Sequence, residues 1–247
     1  MYEKRLSDFA ELIRNSSNIV FFGGAGVSTE SGMKDYRSED GLYNTVKKYS
    51  VSPETILSHS FFMEQPDVFY DFYYNYFLNT NVEPNKAHYA LAELEKRGKL
   101  KAVITQNVDG LHQRAGSENV IELHGSILEH YCSHCKAPVS NELVKDRKGK
   151  VPVCPQCSGV VRPNVVLYEE PLSEKTANLA LGAILEADML IIGGTSLAVY
   201  PAADYLRYFI GDKVVLINRD VTPYDSKATL VFRESIGDVL SKTISIL

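Results

Sequence analysis

The sequence contains no tryptophan, four methionines and four cysteines, and none of its apolar runs approaches the roughly 18 residues of a membrane-spanning helix. It has no basic excess either: 26 Lys and Arg stand against 31 Asp and Glu, a net charge of -5, with no local Lys/Arg cluster. Such a chain has no general attraction for phosphate backbones or anionic lipid, so neither nucleic acid nor membrane is expected as a direct partner. The N-terminal stretch "MYEKRLSDFAELIRN" carries charges throughout and lacks the apolar centre of an export signal, so the expected location is cytoplasmic. Internal repeats and low-complexity tracts are missing too, which excludes solenoids and disordered linkers.

What is present is ordinary globular material, 45 % hydrophobic and 23 % charged over 247 residues, enough for one good core or one core carrying a smaller module. Short apolar runs recur, each followed by a glycine-rich or polar turn: "NIVFFGGAG" (18–26), "KAVITQNVDG" (101–110), "DMLIIGGTS" (188–196) and "KVVLINRD" (213–220). Helical patterns lie between them. One covers 86–97, with Asn85 as N-cap, Ala87, Leu91 and Leu94 on one face and Gly98 as the stop. Another covers 173–186, opened by Ser173, with Ala177, Leu181 and Ile184 expected to face inward. This alternation predicts an α/β fold, a parallel sheet covered by helices, whose ligands sit at the carboxyl ends of the strands. Two stretches break the alternation, 38–85 with its aromatic run "FFMEQPDVFYDFYYNYF" (61–77) and 126–165 with the cysteines. Both are expected to be insertions that build a smaller second domain.

All four cysteines fall in two Cys-x-x-Cys pairs, Cys132/Cys135 and Cys154/Cys157, separated by 18 residues. Two turns that each present a pair of thiolates complete a tetrahedral Zn²⁺ shell, and four thiolates leave no open position for water or substrate. The zinc expected here is therefore structural. Of the two nearby histidines, His130 and His134, either type could serve as a ligand, but the cysteines suffice, and both are expected at the surface or just outside the metal shell.

The strand ends carry the remaining polar signals. "GGAGVSTESG" (23–32) has small residues that let backbone N–H groups approach a pyrophosphate ahead of a helix N-terminus, although the same turn also serves ordinary strand-to-helix connections and lacks a full Gly-x-Gly-x-x-Gly. "GGTSLAVYPAA" (193–203) and Asn218 in "LINRD" make two further polar ends, and three on one sheet edge favour an extended nucleotide. In "TQNVDGLH" (105–112), Gln106, Asn107, Asp109 and His112 follow a strand directly. The ordinary reading is an Asx-turn, and the functional one is a grip on an amide or a ribose hydroxyl. His124 ends "VIEL" in the same way, and spacing leaves both a structural and a catalytic role open.

Taken together, "GAGVS" (24–28), "TQNVDGLH", "ELHG" (122–125), the cysteine pairs, "RPNVV" (162–166), "GTSL" (194–197) and "LIN" (216–218) resemble the sirtuin family of NAD-dependent protein lysine deacylases, in the family's order and across about residues 20–218. The resemblance implies a Rossmann-type NAD-binding domain from 1–37, 86–125 and 166–247. It implies a small domain from a helical module, 38–85, and a zinc-ribbon module, 126–165. It implies His124 as catalytic base, with Asn107 and Asp109 also in the catalytic group. For NAD it implies Gly24, Ala25, Gly26, Ser28, Asp35, Tyr36, Arg37, Gln106, Asn107, Asp109, Gly194, Thr195, Ser196 and Asn218. For an acyl-lysine protein substrate it implies the strand Val165, Val166, Leu167, Tyr168 and Glu169. In the implied chemistry the acyl oxygen attacks the nicotinamide ribose C1′ and expels nicotinamide. His124 then takes a proton from a ribose hydroxyl that attacks the bound imidate, and water releases lysine and O-acyl-ADP-ribose.

Departures from the family pattern are specific. The usual Gly-Ile-Pro-Asp-Phe-Arg reads "GMKDYR" (32–37): Met33 and Lys34 replace Ile and Pro, and Tyr36 replaces Phe. Losing proline frees the backbone, and the retained ring predicts activity with altered nicotinamide escape. Glu169 stands where Gly is expected, a carboxylate that predicts a preference for basic residues flanking the acyl-lysine. The stretch 69–77 contains no arginine to pair an acidic acyl group, so acetyl or apolar acyl groups are expected, with the aromatics there mostly packing. Protein ADP-ribosyl transfer and a non-enzymatic NAD-sensing module are the alternative readings.

Overall fold

The structure is a computed structural model, and it describes residues 1–35 and 49–247. Its strands in chain order are β1 (Ile19–Gly23), β2 (Leu100–Thr105), β3 (Val120–Glu122), β4 (Gly125–Cys132), β5 (Pro138–Val139), β6 (Val161–Val165), β7 (Met189–Gly193), β8 (Lys213–Ile217) and β9 (Leu230–Phe232). Six of them form one sheet in the order β3-β2-β1-β7-β8-β9, with every pairing parallel, and β5-β4-β6 form a small antiparallel sheet.

The parallel strands are apolar at nearly every position because both faces are covered. Helices α1 (Tyr2–Arg14), α5 (Lys86–Lys96) and α9 (Ile236–Ser245) cover one face. There Phe9, Leu91 and Leu240 pack with Phe21, Val103, Ile191 and Val215. The alternate residues Phe22, Ile104, Ile192 and Leu216 point the other way, onto Ala180 and Ile184 of α8 (Glu174–Glu186) and Leu206. Asn85 caps α5 as expected, and Ala87, Leu91 and Leu94 are buried. On α8 the inward stripe is narrower than expected: Ala180 and Ile184 are buried, whereas Ala177 and Leu181 are half-buried. Leu179 and Leu185 of the same helix lie exposed, so α8 rests on the sheet along one i, i+4 ridge.

Strand order reverses between β1 and β7: from β1 the chain steps outward to β2 and β3 on one side, and from β7 to β8 and β9 on the other, all strands remaining parallel. The crevice of such a sheet opens at the carboxyl ends of those two strands. Register puts Gly23 of β1 beside Gly193 of β7, so both glycine-rich loops leave the sheet at one point.

The second core joins two stretches far apart in sequence. Helices α2 (Pro53–Ile56), α3 (His59–Glu64) and α4 (Pro66–Tyr73), with the π-helical turn Tyr74–Leu78, bring Phe62, Phe69, Tyr70 and Phe72 against Ile127, Val139, Val144 and Val161. Phe62 and Phe69 meet edge to face at 4.9 Å between ring centroids, and Tyr70 donates to the carbonyl of Val161. The aromatic run is mostly packing, as expected, although Tyr73 and Phe77 also line a cavity. His130 departs from expectation: it is buried, and its Nε2 lies 3.2 Å from the Tyr73 hydroxyl. It belongs to this core rather than to the surface, while His134 is exposed. Among the described residues no helix is long and apolar enough to cross a membrane.

Candidate active site

The loop after β1 does not enter a helix directly. Gly24 is followed by two short 3₁₀ turns, Ala25–Val27 and Thr29–Ser31, and the chain leaves through Gly32 at φ +92°, a conformation that favours glycine. The expected helix N-terminus behind a phosphate is thus replaced by turns whose amides are spent locally, Ser28 on Ala25 and Ser31 on Ser28. Against this loop packs the turn after β7. Gly26 donates to the carbonyl of Gly194 at 2.8 Å, and a Cβ on Gly26 would lie 2.8 Å from the Gly194 Cα. Only glycines let the two backbones approach this closely.

One cavity of about 690 Å³ runs over these loops. Ala25, Gly26, Ser28 and Asp35 line it from the first strand end, Gln106, Asn107 and Asp109 from the second, His124 from the third, and Gly194, Thr195, Ser196 and Asn218 from the last two. Val165, Val166, Leu167, Tyr168 and Glu169 line it from the small sheet's side. Gly24 lies behind the cavity wall, where a Cβ would sit 2.9 Å from the Gln106 side chain. Tyr36 and Arg37 lie outside the described residues. His112, also singled out by the sequence, points away from the cavity. It is buried against His88 with ring centroids 4.7 Å apart, and burial lowers its pKa to about 3. Arg219 lines the cavity and was not anticipated, although it follows Asn218 at the same kind of strand end.

Asp109 is the most buried carboxyl here. Its Oδ2 accepts from the Ser28 hydroxyl at 2.7 Å and its Oδ1 from the Leu111 amide at 2.9 Å, while Asn107 donates to Ser28 at 3.0 Å. Burial raises its pKa, against the lowering effect of these donors. The Ser28–Asp109 bond ties the first loop to the second. Gln106 accepts from the Thr195 hydroxyl at 3.3 Å through Oε1, which ties the second to the loop after β7. Its Nε2 is buried and has no acceptor among the described residues, leaving one donor for a bound molecule.

The Nδ1 of His124 lies 2.9 Å from the carbonyl oxygen of Gln106. A carbonyl can only accept, so Nδ1 carries the proton and Nε2 keeps its lone pair. Burial lowers the His124 pKa, outweighing that hydrogen bond. The imidazole is therefore neutral at neutral pH and able to take a proton. His124 is far from being a metal ligand, because the four cysteine sulfurs already lie within 4.8 Å of one another. The amides of Cys135 and Gln156 point at the sulfurs of Cys132 and Cys154, both at 3.4 Å, a donor pattern that suits thiolates. Gly159 leaves room, since a Cβ there would lie 3.0 Å from the Cys132 sulfur. The four thiolates fit structural Zn²⁺.

Segment 165–170 is not a free strand. The amides of Val166 and Tyr168 already donate to the carbonyls of His124 and Leu57, and that of Leu167 to the Glu170 carboxylate at 2.9 Å. Glu169 has φ +76°, which accounts for glycine being expected at this position. Its carboxylate accepts from the Ser60 amide at 2.9 Å and hydroxyl at 2.8 Å, contacts that hold its pKa below the usual range. The carboxylate is thus turned onto α3 and kept ionised. Glu170 is held by both terminal nitrogens of Arg162, at 2.8 and 2.9 Å.

A profile described as the Sir2 family matches residues 24–201. A Clostridium tetani protein named NAD-dependent protein deacetylase is 56% identical over 230 residues, covering 93% of each chain. A Clostridium perfringens protein of the same name is 53% identical over 243 residues, covering 98% of this chain and 99% of its own. Among solved structures, a Sir2 protein with a deacetylated p53 peptide and 3′-O-acetyl-ADP-ribose superposes with a TM-score of 0.89 at 36% identity, covering 98% of both chains.

Proposed function

The chain belongs to the Sir2 family and is an NAD-dependent protein deacetylase, and on that premise we propose how its own residues carry the reaction. NAD supplies a ribose carbon that accepts the acyl oxygen as nicotinamide leaves. The loops around Gly26 and Gly194 hold the pyrophosphate and adjoining ribose, with Thr195, Ser196 and Asn218 along the far half of the dinucleotide. Ser28, Asn107 and Asp109 form one hydrogen-bonded set at the nicotinamide end, and Gln106 donates its spare amide proton to the bound dinucleotide. His124 takes the proton of a ribose hydroxyl through Nε2. The observation that carries this assignment is the Nδ1 hydrogen bond to Gln106, which fixes the tautomer a base needs.

The acyl-lysine protein lies along 165–169. Leu57, Tyr73, Phe77, Ile127 and Leu167 give the cavity an apolar side, which suits acetyl and apolar acyl groups. The assignment of 1–37, 86–125 and 166–247 to the NAD-binding domain, and of 38–85 and 126–165 to the small domain, is supported by the separate cores of the two sheets.

The test is incubation of the protein with NAD and an acetyl-lysine peptide, with mass spectrometry of peptide and nucleotide and His124→Ala alongside. Deacetylated peptide with an equal amount of O-acetyl-ADP-ribose, both lost in the variant, is expected. Full turnover by the variant would remove His124 from the mechanism, and ADP-ribose found on protein would make the acceptor a side chain.

A further inference from the structure

Asn85 does two jobs with one side chain. Its Oδ1 accepts from the Ala87 amide at 2.8 Å and so caps α5, the role its sequence position predicts. Its Nδ2 points the other way, into the β1 loop, donating to the carbonyl of Val27 at 2.8 Å and to the Ser31 hydroxyl at 2.9 Å. Those two acceptors bracket Ser28, whose hydroxyl binds Asp109. Val27 ends the first 3₁₀ turn, and in a continuing α-helix its carbonyl would take the Ser31 amide. Here the Ser31 amide goes to Ser28 instead, at 3.0 Å, and Asn85 supplies the donor that Val27 lacks.

The backbone N–H of Asn85 donates to His88 Nδ1 at 3.2 Å, closing a capping box that sets the direction of the amide group. A second helix end holds the same loop: the Glu30 carboxylate accepts from the Ser235 hydroxyl at 2.7 Å and from the Gly237 amide at the start of α9. The loop is thus fastened from behind by two helix termini, while its front faces the cavity. Of the two, Asn85 is the one that grips on both sides of Ser28.

We propose that Asn85 is a positioning residue for NAD: its Nδ2 breaks the 25–31 segment into two turns and so holds Ser28 and the Gly24–Gly26 backbone in their nucleotide-binding arrangement. The inference rests on the assignment of this loop to NAD, and it predicts an effect on nucleotide affinity that can be separated from helix capping. Serine and aspartate are both good N-caps, so Asn85→Ser and Asn85→Asp keep α5 capped. Serine is too short to reach Val27, and aspartate replaces the donor with an acceptor that opposes the Val27 carbonyl.

The experiment measures ADP-ribose affinity by titration calorimetry, Tm without ligand, and the kinetic constants for NAD and acetyl-lysine peptide, for the intact protein and both variants. Losing the two donations is expected to weaken ADP-ribose binding and raise KM for NAD about tenfold in each variant. The kcat and KM for peptide should stay close to those of the intact protein, while Tm falls by a few degrees because the Val27 carbonyl loses its donor. Binding within about twofold of the intact protein in both variants would overturn the inference. So would an equal loss of affinity in Leu94→Val, a core variant of the same helix that lowers Tm comparably, which would leave Asn85 as a helix cap and nothing more. Failure of the intact protein itself to bind ADP-ribose would instead remove the assignment of the loop, and is visible without either variant.

Discussion

The imidazole of His124, just past the end of β3, donates through Nδ1 to the main-chain oxygen of Gln106, 2.9 Å away and just past the end of the neighbouring β2. Main chain holds the ring, so its tautomer does not depend on another titrating side chain. Replacing His124 by Ala is expected to lower kcat about 10²–10⁴-fold, the usual worth of a positioned general base. Because burial lowers its pKa, the basic form persists below pH 6.5 and is lost only as pH falls further. A profile of kcat/KM against pH, with an acid limb lying below 6.5, checks this.

Ser28 and Asp109 form the buried link between the first two loops. Ser28→Ala removes one of the two donors to a carboxyl already disfavoured by burial, and leaves Asn107 without its partner. A charge-assisted bond of this kind contributes about 1.5–3 kcal/mol, so kcat/KM for NAD is expected to fall about 10–100-fold. Steady-state kinetics with the acyl peptide saturating would measure it.

His88 and His112 sit ring against ring in the core with pKa values near 4 and 3, both lowered chiefly by burial. Their folded values lie below the unfolded 6.5, so they stabilise the fold above 6.5, and that stability drains away as pH falls from 6.5 toward 4 and 3. Each contributes a slope of up to about 1.4 kcal/mol per pH unit in that window. Urea unfolding from pH 7 to 5 should show the loss, and His112→Leu should flatten it.

Glu170 titrates lower, near pH 2. Burial pushes its pKa up, but Arg162, the Leu167 amide and His59 more than offset that. Its contribution is intact above 4.5 and lost as pH falls from 4.5 toward 2, a separate window from the histidines. Glu170→Gln strands a largely buried guanidinium, 11% exposed, and is expected to destabilise by about 3 kcal/mol. Glu170→Ala would in addition free the Leu167 amide, so there KM for the acyl peptide should change while KM for NAD does not; thermal unfolding and kinetics of the two variants test both.

Removing zinc should cost more than the small sheet. Cys132 and Cys154 are themselves members of the second core, beside Tyr70 and Phe72. Prolonged treatment with a chelator is expected to abolish activity and the near-ultraviolet tyrosine signal together, with one equivalent of zinc released per chain by metal analysis.

Much of this was legible in the sequence, for physical reasons that differ from residue to residue. The apolar runs around Phe21 and Ile191 could be buried on both faces only in a parallel sheet, and the cysteine spacing admits few structures. Asn85 was legible as a cap because capping is local, but the reach of its other amide atom into the β1 loop depends on how α5 docks on the sheet. The burial of His112 was hidden for the same reason. Its position after a strand left its role open, and beyond the turn at Gly110, φ +71°, the ring enters the core. Glu169 was marked by its identity alone; that its backbone adopts a glycine-like angle and that Ser60 holds its carboxylate are tertiary facts.

The joint making of the second core also orders events during synthesis. The apolar side of 56–78 has its partners at 127–167, so on the ribosome it waits while the stretch from about fifty to about ninety residues further on emerges. Ribosomes add about 5–20 residues per second, so the aromatic segment is exposed for seconds before its partners exist. A slowed codon run or a truncation anywhere between 80 and 160 would lengthen or perpetuate that exposure, making the yield of folded protein depend on the pace of translation across a stretch that contains the cavity-lining residues 106–109 and His124.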